Sequence, residues 1–197
     1  RIAVKRYVED KASIKRRYEV LLSPVRHKRL RVFHRAWQKR LKELDFDILN
    51  HEGQIDYIAL SNQIKYDLEM IKVAERQAKQ MAPLLPFGDK IRLLQETRHD
   101  RKRVDPKVAA ATLDEIANQI SSLTNTLISQ GKKTDGIVVR NDISSINAWR
   151  ATKQIQHLQG VLENYNTFYD GYDPIYSWWA REPYARADAS LTNYVKA

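Results

Sequence analysis

The chain has 197 residues, no Cys and a formal net charge of +10. Its length suits one domain or at most two small ones, and the lack of Cys excludes disulfides, thiolate nucleophiles and Cys-based zinc sites. No apolar run approaches the roughly 18–20 residues that a membrane-spanning helix needs.

The positive charge is confined to the first fifth of the chain. Residues 1–42 hold 15 Lys and Arg against three acidic residues, a balance of +12, whereas residues 43–197 hold 19 against 21, a balance of −2. Such a block is typical of a surface that meets nucleic acid, an anionic membrane or an acidic protein.

The first 50 residues show helical spacing in two pieces that break near Ser23-Pro24. The first piece carries Val4, Val8, Tyr18, Leu21 and Leu22. The second piece is predicted to place four apolar side chains in the core: Phe33, Trp37, Leu41 and Leu44.

A longer helix follows, because apolar residues recur at steps of three and four from Tyr57 to Met81. It is predicted to stop at Ala82, since Pro83 and Pro86 disfavour helical backbone. A short helix around Ile91–Thr97 is expected next. The charged residues between the apolar positions are predicted to be solvated: Lys65, Asp67, Lys72, Glu75 and Lys79.

Asp105-Pro106 predicts a helix start, with Asp as the N-cap and Pro at the first helical position. That helix should run to Gly131, and residues 131–136 should form a polar loop. Another long helix is expected from Ile143 to Phe168, and a last one from near Pro183. No alternating β pattern exceeds Ile137-Val138-Val139.

These patterns predict an all-α fold, an irregular multi-helix bundle of six or seven helices. Residues 1–197 are expected to form a single helical domain or part-domain. Within it, residues 1–50 are strongly basic helices, 51–164 long amphipathic helices, and 165–197 an aromatic corner with the start of a further helix.

The five His do not form a metallopeptidase helix, which needs two His four residues apart with a Glu beside the first. His51-Glu52 begins that pattern, but Ile55 occupies the second ligand position. His27 and His34 share a helical face, yet the surrounding Lys and Arg disfavour a dication, so both are predicted to be exposed or interface histidines. Catalytic and metal-ligating residues are therefore predicted to be missing from this chain.

The basic stretch around Arg26–Arg40 could contact phosphates. Stacking on single strands also needs free aromatic rings, and the spacing of Phe33 and Trp37 directs them to the core. Nucleic acid is therefore disfavoured relative to a solvated face or an acidic protein surface. Membrane binding by a basic amphipathic helix is disfavoured as well.

Aromatic residues are concentrated near the C-terminal end, where nine of 18 fall after residue 164. Gly171 permits a turn there, and Asp173-Pro174 restarts the chain. This segment is predicted to form an aromatic-packed corner between two helices, one wall of a substrate cleft, or both. The cleft candidates are Tyr172, Tyr176, Trp178, Trp179, Arg181 and Tyr184. For Arg181 a surface or capping ion pair is favoured over pairing with a peptide carboxylate.

One order of residues carries a family resemblance: Tyr169, Gly171-Tyr172-Asp173-Pro174, Trp178-Trp179, Pro183-Tyr184, Leu191 and Tyr194. It resembles the bacterial and fungal proteins that carry domain of unknown function 885, which are regarded as zinc metallopeptidases. Ile55-Asp56-Tyr57 and Pro83-Leu84-Leu85-Pro86-Phe87 are also similar, so the resemblance spans roughly residues 50–197.

The resemblance implies that this chain is the N-terminal, non-catalytic helical part of a zinc-dependent peptidase. It would form one side of the cleft for a peptide substrate and contact the C-terminal remainder of the same protein, where the zinc would be held. Export to the periplasm or outside the cell is implied as well. Arg1 begins the sequence, which favours an excerpted or processed piece. The alternative is a basic helical binding module for nucleic acid or an acidic protein partner.

Overall fold

A computed structural model describes residues 2–131 and 144–197. Seven α-helices and no strand occur in these two ranges, which confirms the predicted all-α bundle. The expected polar loop after Gly131, the segment Ile137-Val138-Val139 and Ile143 fall in residues 132–143, outside the described residues. The helices are α1 Ile2–Arg17, α2 Pro24–Lys42, α3 His51–Met81, α4 Gly88–His99, α5 Pro106–Gly131, α6 Ser145–Asp170 and α7 Pro174–Lys196, with a 3-10 turn at Ala82–Leu84.

Side-chain caps are present at two positions that the sequence singled out, the predicted break at Ser23-Pro24 and the predicted helix start at Asp105-Pro106. Ser23 Oγ accepts a hydrogen bond from Arg26 N at 3.4 Å, and Pro24 follows at the first helical position. Asp105 Oδ1 accepts from the N–H groups of Lys107 and Val108 at 2.9 and 3.3 Å. Helix α3 ends at Met81, one residue before the predicted stop at Ala82, and the 3-10 turn that contains Pro83 follows.

The predicted start of the last helix at Pro183 is wrong. Helix α7 begins nine residues earlier, at Pro174, because Asp173 Oδ1 caps it by accepting from Ile175 N and Tyr176 N at 3.0 and 3.2 Å. Pro183 lies inside α7 and is buried. A proline within a helix costs about 3 kcal/mol, and here its ring belongs to the buried face of the helix, so packing offsets that cost.

The chain divides into two compact units, Arg1–Lys79 and Gln80–Ala197. In the first unit α1, α2 and most of α3 enclose a core centred on the ring of Tyr7, which stacks on Phe33 at 5.3 Å and meets Trp37 edge-on at 5.7 Å. Aromatic pairs in these geometries add stability beyond the area that they bury. The buried core residues are Tyr7, Trp37, Leu41, Leu60 and Ile64.

In the second unit α5 packs most extensively against α7, while α6 contacts α7 and α4. Small buried side chains on both partners, such as Ala117 on α5 and Ala180 and Ala187 on α7, allow the two helix axes to approach closely. Apolar residues at helical spacing fill the rest of this core. Its fully buried members include Phe87, Ile91, Leu113, Ile116, Ile120, Leu162 and Leu191.

One predicted core position of the first unit is wrong: Leu44 is 49% exposed because α2 ends at Lys42. Val8, which marked the helical spacing of the first piece, is 57% exposed, and its neighbour Tyr7 faces the core. Tyr18 and Leu22 are half-buried in the turn between α1 and α2 rather than on α1 itself.

None of the described helices is both long and apolar enough to cross a membrane.

Candidate functional site

Helix α2 carries no acidic residue and presents four cations on one face. Lys28, Arg35, Lys39 and Lys42 are spaced by seven, four and three residues, so they fall within about 60° of arc on the side opposite the core. All four are exposed, and none makes an ion pair with a described residue. These four residues are called the cationic stripe below.

A second narrow strip runs beside the cationic stripe. Val25 and Val32 are 40% and 53% exposed, and Ala36 is exposed one turn further on. Their helical positions place them on one flank of the stripe, with no acidic side chain of α2 between them. The outer face of α2 is thus cationic along its centre and weakly apolar along one side.

One of the basic residues in residues 1–42 is buried rather than exposed. Arg26 is buried, and its Nη1 donates to the main-chain oxygens of Lys15, at 3.1 Å, and Tyr18, at the C-terminal end of α1. A cation at this end of a helix is favourable because the last carbonyls carry partial negative charge. Burial lowers the pKa of Arg26. The block therefore combines a structural cation with the exposed ones.

His27 and His34 were predicted to be exposed or interface histidines, and the exposed alternative is wrong for both. His27 is buried, and its Nε2 lies 3.0 Å from the main-chain oxygen of Leu21. His34 is 1% exposed, and its Nδ1 lies 2.9 Å from the hydroxyl of Tyr7. Burial lowers the pKa of both imidazoles, that of His34 to about 4, so both rings are neutral at pH 7.

Tyr7, His34, Asp67 and Lys11 form a polar network between the three helices of the first unit. The Tyr7 hydroxyl donates to Asp67 Oδ2 at 2.6 Å, which leaves its oxygen to accept from the Nδ1–H of His34. Lys11 Nζ donates to the same carboxylate oxygen of Asp67. The prediction that Asp67 is solvated is wrong, because it joins α1 to α3.

The network holds its groups in unreactive protonation states. Burial raises the pKa of Tyr7, and the hydrogen bond to Asp67 raises it further. Burial alone would raise the pKa of Asp67, but hydrogen bonds from Lys11 and Tyr7 outweigh it and keep that pKa below its ordinary value. A protonated phenol bound to a fixed carboxylate orders three helices and offers no activated nucleophile.

Glu75 was also predicted to be solvated, and its Oε1 instead accepts from Arg31 Nη2 at 2.5 Å. This ion pair joins α2 to α3 at half-buried positions. Sequence reasoning missed the network because Tyr7 was not assigned to the core. The signal was available, since Val4, Tyr7 and Lys11 follow one another at three and four residues and so share a helical face.

The six cleft candidates separate according to their positions along α7 and the preceding turn. Tyr176 is 1% exposed and belongs to the core. Trp179 and Tyr184 are half-buried, whereas Tyr172, Trp178 and Arg181 are exposed. Arg181 makes no ion pair within the described ranges, so the expected surface ion pair is not observed. Their assignment to a substrate cleft stays a prediction.

The expected aromatic corner is present between α6 and α7. The rings of Tyr165 and Tyr169 are 5.1 Å apart, and both contact Tyr176, at 6.1 and 5.2 Å. Tyr176 donates its hydroxyl proton to Asn166 Oδ1 at 3.1 Å. The corner is thus a packed part of the second unit.

Each unit also holds a pocket. That of the first unit measures about 490 Å³ and is lined by Tyr7, Lys11, Lys15 and Gln63 between apolar side chains, beside the polar network. That of the second unit measures about 550 Å³ and lies between α4, the start of α5 and Tyr165 of α6. None of the six cleft candidates lines either pocket.

No group of three or more His, Asp or Glu suited to a metal ion occurs within residues 2–131 and 144–197. No family model, curated protein or solved structure matches the chain. The peptidase hypothesis, with its zinc, its peptide substrate and its exported location, therefore stays a prediction that rests on the resemblance alone.

Proposed function

We propose that the protein is a helical binding module whose helix α2 docks on an acidic protein surface. One observation carries the proposal: an acid-free helix presents Lys28, Arg35, Lys39 and Lys42 on one exposed face, and none of the four makes an ion pair with a residue that the structure describes. Uncompensated like charges repel one another within the chain. An acidic partner removes that repulsion and gains a salt-dependent attraction.

The shape of this face indicates the form of the partner. From Lys28 to Lys42 the stripe is about 21 Å long, at 1.5 Å per residue. Carboxylates on a partner helix at the same spacings of seven, four and three residues would meet it one to one. Apolar side chains beside them would cover Val25 and Val32, which a protein interface buries in its core.

Other polyanions fit this face less well. A phosphate backbone would gain nothing from the strip of Val25, Val32 and Ala36, and single strands lack stacking partners because Trp37 is buried and Phe33 half-buried. An amphipathic helix on a membrane inserts its apolar face, and the apolar face of α2 packs in the core of its own unit. A protein partner can contact both the cationic stripe and the apolar strip beside it.

The test compares two synthetic 21-residue peptides by isothermal titration at 50 mM salt. One carries Glu at spacings matching the stripe with Leu and Ala on one flank, and the other has the same composition in scrambled order. We expect the patterned peptide to bind more tightly and to weaken steeply as salt rises. Equal affinity for both peptides would contradict the proposal, as would tighter binding of a mixed-sequence 20-base-pair DNA duplex.

The variant K28Q/R35Q/K39Q/K42Q should weaken binding of the patterned peptide at least about tenfold. Four exposed ion pairs at about 0.2–1 kcal/mol each account for that loss. The matched control K65Q/K79Q/K153Q/K196Q removes the same number of charges from exposed positions elsewhere, and it should change the affinity by less than about twofold. Equal losses in both variants would show that only net charge matters.

A further inference from the structure

The pocket of the second unit has apolar walls and a volume of about 550 Å³. Ligand pockets are commonly of this size, with a few polar groups set into apolar surface. The apolar lining comes from α4, the segment that precedes α5, and the first turn of α5. It consists of Leu93, Leu94, Val104, Val108 and Ala109.

Tyr165 supplies a polar group from α6. This side chain lines the pocket, is 1% exposed, and its hydroxyl has no hydrogen-bond partner among the described residues. Buried hydroxyls without a partner are costly and uncommon. Other buried tyrosines of this chain do have one: Tyr176 donates to Asn166 Oδ1, and Tyr194 donates to the main-chain oxygen of Leu84 at 3.0 Å.

Two cations and two carboxylates line the pocket, and one of the cations has no ion-pair partner among the described residues. Lys90 Nζ is paired with Glu115 Oε2 at 2.8 Å, and Asp105 is occupied as the N-cap of α5. Arg103 is exposed and makes no ion pair within the described part of the chain. The pocket therefore combines an apolar wall, a buried hydroxyl and an exposed guanidinium that makes no ion pair with a described residue.

We propose that this pocket binds an apolar carboxylate that also carries a neutral carbonyl oxygen. The apolar body lies on the leucine and valine wall, the carbonyl accepts a hydrogen bond from Tyr165, and the carboxylate pairs with Arg103. The buried end must be uncharged, because an anion there would lose its hydration without gaining a cation. This site lies within the second unit and does not depend on the cationic stripe.

Two probes that differ in one group test the assignment. 4-Benzoylbenzoate has a ketone between its rings, and 4-benzylbenzoate has a methylene there. We expect the ketone to bind the full chain at least about fivefold more tightly, since only it can accept from Tyr165. No saturable binding of either probe below about 1 mM would overturn the proposal.

Variants then assign the contacts. Tyr165→Phe keeps the ring and should bring the two probes to equal affinity, while Arg103→Gln should weaken both by about threefold or more. Tyr176→Phe is the matched control, because its hydroxyl bonds Asn166 and Tyr176 does not line the pocket; it should leave the affinity ratio unchanged. If 4-benzoylbenzoate still bound Tyr165→Phe more tightly than 4-benzylbenzoate by the same factor, the assigned hydrogen bond would be contradicted.

Two further readouts separate binding from folding. Without ligand, Tyr165→Phe should raise Tm by about 2–4 °C because an unpartnered buried hydroxyl is removed, whereas Tyr176→Phe should lower it. Irradiated 4-benzoylbenzoate should label peptides of α4 and the first turns of α5. A lowered Tm for Tyr165→Phe, or labelling confined to other helices, would overturn the proposal.

Discussion

The two units stabilise their helices by different chemistry. In the first unit a polar network of Tyr7, His34, Asp67 and Lys11 joins three helices beside an aromatic core. In the second unit α5 and α7 approach over alanines and aliphatic side chains. Because hydrogen bonds are directional and apolar contacts are not, the first arrangement fixes helix register through a few groups, whereas the second spreads its stability over many.

The basic residues of the first unit fall into an exposed set and a set that contacts its own helices. The first unit carries the cationic stripe, whose four residues make no ion pair within the described part of the chain. Other basic groups of this unit serve the fold: Arg26 donates to main-chain carbonyls, and Lys11 and Arg31 each pair with a carboxylate of α3. One sequence block of similar residues thus contains both structural and free cations, and only the free ones are available to a partner.

The largest predicted effect tests the apolar core of the second unit. Leu113 on α5 is fully buried, so Leu113→Ala should lower the free energy of unfolding by about 3 kcal/mol through lost burial and the cavity left behind. Urea denaturation combined with hydrogen exchange of α5 and α7 peptides measures the loss. Ile128→Ala on the same helix, at a position 46% exposed, should cost under about 1 kcal/mol. Equal losses would mean that this core is not the main source of stability.

The next effect tests the network of the first unit. Asp67→Asn removes the charge that accepts from both Tyr7 and Lys11, and we expect a loss of about 2 kcal/mol in the free energy of unfolding. The control is Asp10→Asn, since Asp10 meets Arg6 at 3.9 Å on the exposed side of α1; it should cost below about 0.5 kcal/mol. If the network did not stabilise the fold, Asp67→Asn and Asp10→Asn would have similar free energies of unfolding.

The smallest predicted effect is a pH dependence that the first unit should show. Because burial lowers the pKa of His34 from 6.5 to about 4, the unfolded chain takes up a proton in that interval and the folded chain does not. Stability present at pH 7 should therefore fall by about 1–2 kcal/mol between pH 7 and pH 5. The lowered pKa of His27 adds a loss with the same sign.

The variant His34→Asn isolates this contribution, since the amide can still donate to Tyr7 but takes up no proton. It should flatten the decline between pH 7 and pH 5, measured by urea denaturation at each pH. His51→Asn, at an exposed position, should keep the decline. Below about pH 4 a separate loss should appear as Asp67 is protonated, because its pKa is held low in the fold. An unaltered pH profile in His34→Asn would contradict the assignment.

Local signals predicted most of the fold because each acts within one turn of helix. Ser23-Pro24 and Asp105-Pro106 start helices by capping, and Pro83 ends one, without help from distant residues. Pro183 misled the prediction because the local preference of proline for a helix start was outweighed by packing on the buried face of α7. The aromatic corner followed from composition, whereas the separate positions of its six cleft candidates did not.

The sequence by itself determined an all-α chain, the main helix boundaries and the confinement of excess charge to residues 1–42. Only the tertiary structure decided which charges are free. Asp67 lies 56 residues from Lys11, and Glu75 lies 44 residues from Arg31. Such pairs depend on how helices pack, which spacing along one helix does not specify. For the same reason the buried histidines, the cationic stripe and the unpartnered hydroxyl of Tyr165 emerge only once the helices are placed together.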